Sequence, residues 1–358
     1  MAWTSPKTWT ADELLTASDL NEYVSDNLSA LYALTQGGGR KNILHNGAMR
    51  VAQRSTSVAT ITTDGNYTAD RWHASLSSLG TWTQSVEADA PTGSGFHKSL
   101  KMLVTTNDGS PAAGDYAIIR QRVEGQNLQS VLKGTTSAKQ LTLSFWTKSN
   151  KTGTYVVELY DEDNTRSVSA SYTVTASATW EQHSVTFPTD LTGAFDNDNA
   201  SSLSVIWWLA GGTNFTSGTL ATTWASVTAA NRAVGQTNVA ASNANYWQIT
   251  GAQLEIGSAA TGFEHKDYST ELAECQRYFY SLMSSGYVYL HPIAQTTDTT
   301  RAILVQYPVT MRAAATPAYT ATTTITWNTQ TTFAHGEVAG VAASGYHSMS
   351  AFAVSADL

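Results

Sequence analysis

The sequence predicts a mainly β protein: a jelly-roll β-sandwich with a helical N-terminal segment, a short linking helix and a small C-terminal β-sandwich. Three observations carry this. Short β-rich runs such as "TWTQSVEA", "QLTLSFWTKS", "TYVVELYDE" and "YWQITGAQLEIG" follow one another between Gly/Asn/Ser/Thr turns, several with the period-two alternation of a half-buried strand. No helix-length periodic segment separates them, which favours antiparallel pairing over crossover helices. Charged residues make up 13% of the 358-residue chain, about half the usual share, so its surface is polar but weakly charged. The 11 Trp, 16 Tyr and 9 Phe demand burial and argue against disorder.

Four units are expected: 1–40, 41–268, 269–284 and 285–358. In the first, "TWTADELLTASDLNEYVSDNLSALYALTQGGGR" carries apolar residues at steps of four and three. Thr16 or Ser18 caps the helix, and Asp19 and Glu22 suit its first turns. Leu20, Val24, Asn27, Leu31 and Leu34 make a heptad seam that Tyr23 and Leu28 widen. Such a helix is marginal alone in water, so the seam packs either on its own domain or on identical chains. A polar Asn27 in the seam favours the second reading, because it fixes register. The triplet Gly37-Gly38-Gly39 ends the helix and serves as a hinge.

Residues 41–268 form the sandwich, with Leu141, Leu143 and Phe145 on one face of their strand and Tyr155, Val157 and Leu159 on one face of theirs. The long connection 211–245 is the kind that usually carries function. Residues 269–284 read as a second helix capped by Ser269 or Thr270. Its Leu272, Cys275, Phe279 and Leu282 share one apolar stripe. The single cysteine, Cys275, is therefore a buried hydrophobe rather than a reactive thiol. Residues 285–358 carry further strands, "RAILVQYPVTM" and "AYTATTTITWN" among them, in a unit small enough to need support from a neighbour.

Composition excludes several classes. The net charge is −8 and no Lys/Arg block occurs, which argues against nucleic-acid binding. One cysteine makes no internal disulfide. No apolar run approaches the roughly 18–20 residues that span a bilayer. "MAWTSPKTWTADELL" lacks the pattern of a secretory leader, so the chain is expected to be made in a cytoplasm and to leave it, if at all, by cell lysis.

No catalytic constellation emerges. Asp161, Glu162 and Asp163 form one acidic tip and Asp196 and Asp198 another. Both lie in turn sequence, as solvated turns or, for the oxygen-rich "DEDNT" and "DNDN", as a structural calcium loop. The eight histidines show no metal-ligand spacing, and neither a nucleophile elbow nor a phosphate loop is present. No catalytic or metal-ligating residue is therefore assigned. Binding fits better. Trp224, midway in the long connection, either pins that loop to the sandwich or offers its ring to a sugar, with Asn231 and Arg232 beside it. Adjacent Trp207 and Trp208 must face opposite sides of a strand. Trp72, Trp146 and Trp247 lie in apolar strands and read as core. Tyr287, Tyr289, Tyr319 and Trp327 serve either the core of the last unit or a receptor contact.

Several motifs, in order, resemble bacteriophage tail-fibre and receptor-binding proteins. They are "TWTADELLTASDLNEYVSDNLSAL", "NILHNGAMRVAQRSTS" (42–57), "YTADRW" (67–72), "YWQITGAQLEIGSAATGFEHKDYSTELAECQRYF" (246–279), "VQYPVTMRAAATP" (305–317) and "FAVSADL". The chain departs from that pattern at Val51-Ala52, where relatives carry an aromatic before the glutamine, and stretches 286–304 and 318–348 match nothing in it. The resemblance implies a non-enzymatic virion protein with a carbohydrate-binding-module-like sandwich. It implies a homotrimer joined through Leu20, Val24, Asn27, Leu28, Leu31 and Leu34, docked to other virion proteins and attached to a host surface glycan. The alternatives are a head-fibre, capsid-decoration or tail-collar protein without an essential receptor and, remotely, a polysaccharide-cleaving tailspike.

Overall fold

The computed structural model of the chain describes residues 7–10, 12–25, 41–283, 288–290, 301–321, 324–338 and 347–358. The strands of the main body, in chain order, are β1 (Ser57–Ile61), β2 (Gly65–Asn66), β3 (His73–Ser77), β4 (Thr81–Glu87), β5 (Ser99–Thr106), β6 (Tyr116–Glu124) and β7 (Leu141–Ser149). They continue as β8 (Gly153–Asp161), β9 (Arg166–Val174), β10 (Glu181–Phe187), β11 (Ser201–Gly211), β12 (Ala225–Ser226) and β13 (Tyr246–Ile256). Six of them form one sheet in the order β1-β4-β5-β13-β7-β10, and seven form a second in the order β12-β9-β8-β11-β6-β3-β2. Every pairing is antiparallel. The two sheets pack as a β-sandwich.

Alternation decides which side chains fill it. Leu141, Leu143 and Phe145 point inward from β7, and Tyr155, Val157 and Leu159 from β8, all at 4% exposure or less. Trp72, Trp82, Trp207 and Trp247 are fully buried between the sheets. The Trp207 ring lies 5.2 Å from Trp72 and 5.8 Å from Phe145. Each such aromatic removes roughly 150–250 Å² from water, which offsets the entropy of ordering so many short strands. Trp208, on the opposite side of β11, packs with Ile118, Val156, Ile206 and Ala233. The 211–245 connection thus covers the outer face of the seven-stranded sheet. Trp146 is a correction: it is half-buried on the outer face of β7, as the parity of Leu143 and Phe145 requires.

The linking helix is shorter than expected. It runs Tyr268–Gln276 after Asp267; neither Ser269 nor Thr270 caps it. Residues Phe279–Met283 form strand β14 instead, because Tyr278 turns into the sandwich and donates its hydroxyl to Glu124. Phe279 and Leu282 therefore leave the helical stripe, and Leu282 is exposed. The tip continues as β15 (Val288–Leu290), β16 (Arg301–Gln306), β17 (Thr316–Ala321), β18 (Thr326–Thr329), β19 (Phe333–Val338) and β20 (His347–Ser355). Strand β20 pairs with β14, β15 and β17, while β19 sits between β16 and β18. Val305, Met311, Ala334, Met349 and Phe352 form the core between these sheets, joined by Tyr319 and Trp327, whose rings lie 5.6 Å apart. Tyr287 falls outside the described residues, and Tyr289 lies on β15.

Motifs far apart in sequence meet where tip and sandwich join. Asn42 donates to Ala252 O (3.0 Å) and accepts from Leu44 N and Leu254 N. Gly47 follows so closely on that strand that a Cβ would stand 2.1 Å from Ala252 O. The Asn46 amide donates to Val51 O and Asp70 O, and Trp72 Nε1 donates to Asn46 O. Gln53 Nε2 donates to Phe279 O at 2.8 Å. Arg312 donates to Asn199 O, Ala356 O and Asp357 O, while Asn199 Nδ2 donates to Arg312 O.

Cys275 is wholly buried at this joint. Burial pushes its thiol pKa well up, and the Asp70 and Glu271 charges add to this. The native protein should resist thiol labelling, with modification tracking unfolding. Reaction at the rate of an exposed thiol in native buffer would contradict this placement.

At the N-terminus Thr16 supplies the expected cap: Asp19 N donates to its Oγ1, and Thr16 N donates to Asp19 Oδ2. Only Ala17–Asp19 is α-helical, and Leu20–Ser25 continues with the wider π spacing. Leu20 and Val24 are 44% and 45% exposed. Asn27, Leu28, Leu31, Leu34 and the Gly triplet lie outside the described residues. Among the described residues no helix is long and apolar enough to cross a membrane.

Candidate functional site

The three binding residues expected in the long connection serve different partners. Trp224 packs against the sandwich core and donates Nε1–H to Pro188 O at 2.9 Å. The space beside it is about 10 Å³, room for one water and too small for a sugar ring. Asn231 Oδ1 accepts from Thr219 N within the loop. Arg232 forms a two-pronged pair with the buried Glu158 at 2.8 and 3.0 Å and lies over the Tyr160 and Trp208 rings. Trp208 Nε1 donates to the same carboxylate. In this arrangement Arg232 rivets the loop to the outer face of the seven-stranded sheet.

The six-stranded sheet presents a different surface. Antiparallel register aligns Ser85, Lys101, Gln248 and Lys148 in one row across β4, β5, β13 and β7. Trp180, the residue before β10, continues it. Strand spacing puts Lys101 and Trp180 about 14 Å apart. In the next row Tyr246 stands opposite Leu103, with Lys101 Nζ 4.8 Å from its ring centre. These side chains lie on the outer face because their neighbours Met102, Trp247 and Thr147 are buried; Lys101 and Lys148 stay partly exposed there, while Gln248 and Ser85 are covered at 2% and 8% exposure.

Asp89, on the β4–β5 loop, ties the row together. It accepts from Lys148 Nζ at 2.9 Å, Trp180 Nε1 at 3.1 Å and Gln248 Nε2 at 3.3 Å. Burial alone would raise its pKa; the Lys148 and Trp180 hydrogen bonds outweigh this and hold it below the usual value. Its side chain remains 41% exposed, so the carboxylate has acceptor capacity left for a ligand. The same loop frames an open cleft of about 430 Å³ lined by Pro91, Gly95, Phe96 and His97 among others. Phe96 anchors the loop by packing over Gly251, whose φ of +62° and missing Cβ leave room for the ring, and against Phe263 and His265. Trp146 lies beside Gly251 as well.

Sequence reasoning overlooked this face, although one signal for it was present. The period-two pattern that puts Leu143 and Phe145 inside puts Trp146 and Lys148 outside. The role of Asp89 was not legible, since its partners lie 59, 91 and 159 residues away.

The acidic tips are also more engaged than solvated turns. Asp161 is wholly buried and binds Lys133 Nζ at 2.5 Å, and Asp163 accepts from Asp196 N. Among the described residues no group of three or more His, Cys, Asp or Glu side chains is placed to hold a metal ion.

No family model matches the sequence, and no curated protein matches it. Solved structures do. The enzymatically active domain of tailspike protein 4 from bacteriophage CBA120 aligns with a TM-score of 0.32 and 13% identity over 60% of this chain, which spans 21% of that one. The carbohydrate-binding module TmCBM61, solved with β-1,4-galactotriose, aligns with a TM-score of 0.32 and 10% identity over 61% of this chain and 100% of that one. The family 11 carbohydrate-binding module from Clostridium thermocellum, solved with a β-1,3-1,4-mixed-linked tetrasaccharide, gives 0.30 and 11% over 58% and 98%. At these TM-scores the likenesses carry no weight for function.

Proposed function

We propose that this chain binds a glycan across the outer face of its six-stranded sheet, as the receptor-binding part of a phage virion protein. One observation carries the glycan reading. Tyr246 and Trp180 flank two partly exposed lysines, Lys101 and Lys148, seated over the buried Gln248, with a half-exposed carboxylate, Asp89, at their margin. Aromatic faces suit the apolar faces of sugar rings, and fixed ammonium and carboxylate groups suit their hydroxyls. Nothing in the row requires catalysis.

The virion role is supported by the order of the tail-fibre-like motifs. The homotrimer is supported by Leu20 and Val24 of the predicted seam, which are 44% and 45% exposed in one chain and gain burial in a parallel bundle. Three weak sites on one trimer raise avidity by about 10²–10⁴ where geometry lets them engage together.

A glycan array probed with the full chain should show selective binding. Trp180→Ala and Tyr246→Ala should each weaken it by about two- to tenfold, at roughly 0.5–1.5 kcal/mol per stacked ring, with the melting temperature little changed. Retention of full binding by the double variant would refute the assignment of this face.

A further inference from the structure

Lys133, on the β6–β7 connection, meets two acids in an enclosed site: Asp161, the last residue of β8, and Asp190, beyond β10. Its Nζ lies 2.5 Å from Asp161 Oδ2 and 3.1 Å from Asp190 Oδ2. The three side chains are at most 4% exposed, and the Phe195 and Trp224 rings close over the amine. Beside Lys133 and Asp190 a space of about 10 Å³ remains, room for one water.

The two acids stand in different surroundings. Arg166 clamps Asp190 with Nε at 2.8 Å and Nη2 at 3.0 Å. Burial pushes the Asp190 pKa up, but the Arg166 and Lys133 hydrogen bonds outweigh it and hold it below the usual value, so the group is a carboxylate. Among the described residues Asp161 makes no ion pair except with Lys133, and the Arg166 charge reaches it only at longer range. Its other donors are Asn164 N and Nδ2, at 3.0–3.2 Å.

An amine and a carboxyl held in contact away from water are the reactants of an amide, and a second carboxylate on the same amine is the acid–base group that condensation needs. We propose that Lys133 and Asp161 join in an intramolecular isopeptide bond, with Asp190 as the catalytic residue. One ammonium proton passes to Asp161 Oδ2, since burial favours a neutral amine and carboxylic acid over two charges. The amine lone pair attacks Asp161 Cγ and forms the C–N bond. Asp190 takes the excess proton from Nζ and returns it to the departing hydroxyl. The C–O bond breaks and one water leaves. Asp190 begins and ends as a carboxylate, and no other reactant is consumed. The product suits its surroundings. The amide N–H keeps an acceptor in Gly193 O or Thr192 O, which now take ammonium protons at 2.6 and 2.9 Å. The amide oxygen keeps Asn164 N as donor, and Asp190 keeps Arg166. A buried charge pair is thereby replaced by a neutral, hydrogen-bonded group. The ion pair is the reactant state, and its own contribution to stability is the one measured in chains still at full sequence mass.

Intact-mass spectrometry of the full chain, folded and then denatured, tests this. The chain should be one water lighter than its sequence requires, and a digest should show the peptides of Lys133 and Asp161 joined. A chain at full sequence mass overturns the proposal and leaves a salt bridge. A water loss confined to a single peptide, as ring closure at Asp64-Gly65 or Asp108-Gly109 would give, overturns it too. Lys133→Met should stay at full mass; the same water loss in that variant places the reaction elsewhere and overturns the bond. Asp190→Asn should close the bond at least about tenfold more slowly after refolding, and an unchanged rate overturns the role of Asp190. Where either variant fails to fold, the mass and digest of the natural chain still decide whether the bond exists.

Discussion

Arg277→Ala is expected to destabilise the protein by about 3–5 kcal/mol, the cost of stranding a buried charge. The stranded group is Glu124, at the end of β6, whose side chain is wholly buried. Arg277 reaches it with Nε at 2.9 Å and Nη2 at 2.8 Å, and the Tyr278 hydroxyl and Gln126 complete the shell. Removing the guanidinium leaves two neutral donors to support a full charge. Its loss should also loosen the tip, since Arg277 O accepts from Arg312 N and Tyr278 O from Ala356 N. Urea denaturation measures the effect, and the double variant Arg277→Ala/Glu124→Gln should recover much of it, because no unpaired charge then remains. A loss below about 1 kcal/mol would show that the pair does not hold the joint.

The same carboxylate sets a pH signature. Burial pushes the Glu124 pKa up, but the Arg277 and Tyr278 hydrogen bonds outweigh it and hold the folded value below the ordinary 4.5. Its contribution is therefore complete above that ordinary value and is lost as pH falls through the depressed folded one. Asp190 and Glu181 shift the same way, and buried Asp70 opposes them. In Arg277→Ala burial acts with less opposition, so Glu124 protonates at higher pH. The deficit relative to wild type should thus be largest near neutrality and shrink on acidification; a deficit that grows on acidification contradicts the assignment.

What the sequence disclosed depended on the range of the physics involved. Alternation along β7 and β8 and the opposed Trp207 and Trp208 are local, and they were legible. So was the burial of Cys275, although the stripe that suggested it is only half helical. The end of the helix was not legible: Phe279 and Leu282 keep helical spacing, and a contact between Tyr278 and Glu124, 154 residues away, overrides it. The same holds for Trp224, Asn231 and Arg232. A tryptophan and an arginine in a long polar loop look like binding residues until Pro188 and Glu158 are seen beneath them. The Lys101–Gln248–Lys148 row exists only once three strands are in register.

Lys133→Met should cost about 3–5 kcal/mol as well, for a reason that recasts the acidic turn after β8. Lys133 is 3% exposed at its side chain, Asp161 0% and Asp190 4%. The ammonium touches Asp161 at 2.5 Å, Asp190 at 3.1 Å, and the carbonyls of Thr192 and Gly193 at 2.9 and 2.6 Å. Phe195 and Trp224 cover it, with ring centres 5.2 and 5.3 Å away. Four oxygens around one positive charge is the kind of environment read from "DEDNT" as a calcium loop, and here the cation is the chain's own lysine. The two acids do not depend on it equally. Asp190 keeps Arg166 at 2.8 Å, whereas Asp161 keeps only its hydrogen bonds from Asn164. The loss should therefore fall mainly on Asp161. Lys133→Met/Asp161→Asn should recover more stability than Lys133→Met/Asp190→Asn, which leaves Asp161 charged and Arg166 without its partner. Chemical denaturation of the three variants decides this, and equal recovery in the two doubles would mean that the charge is shared across the cage.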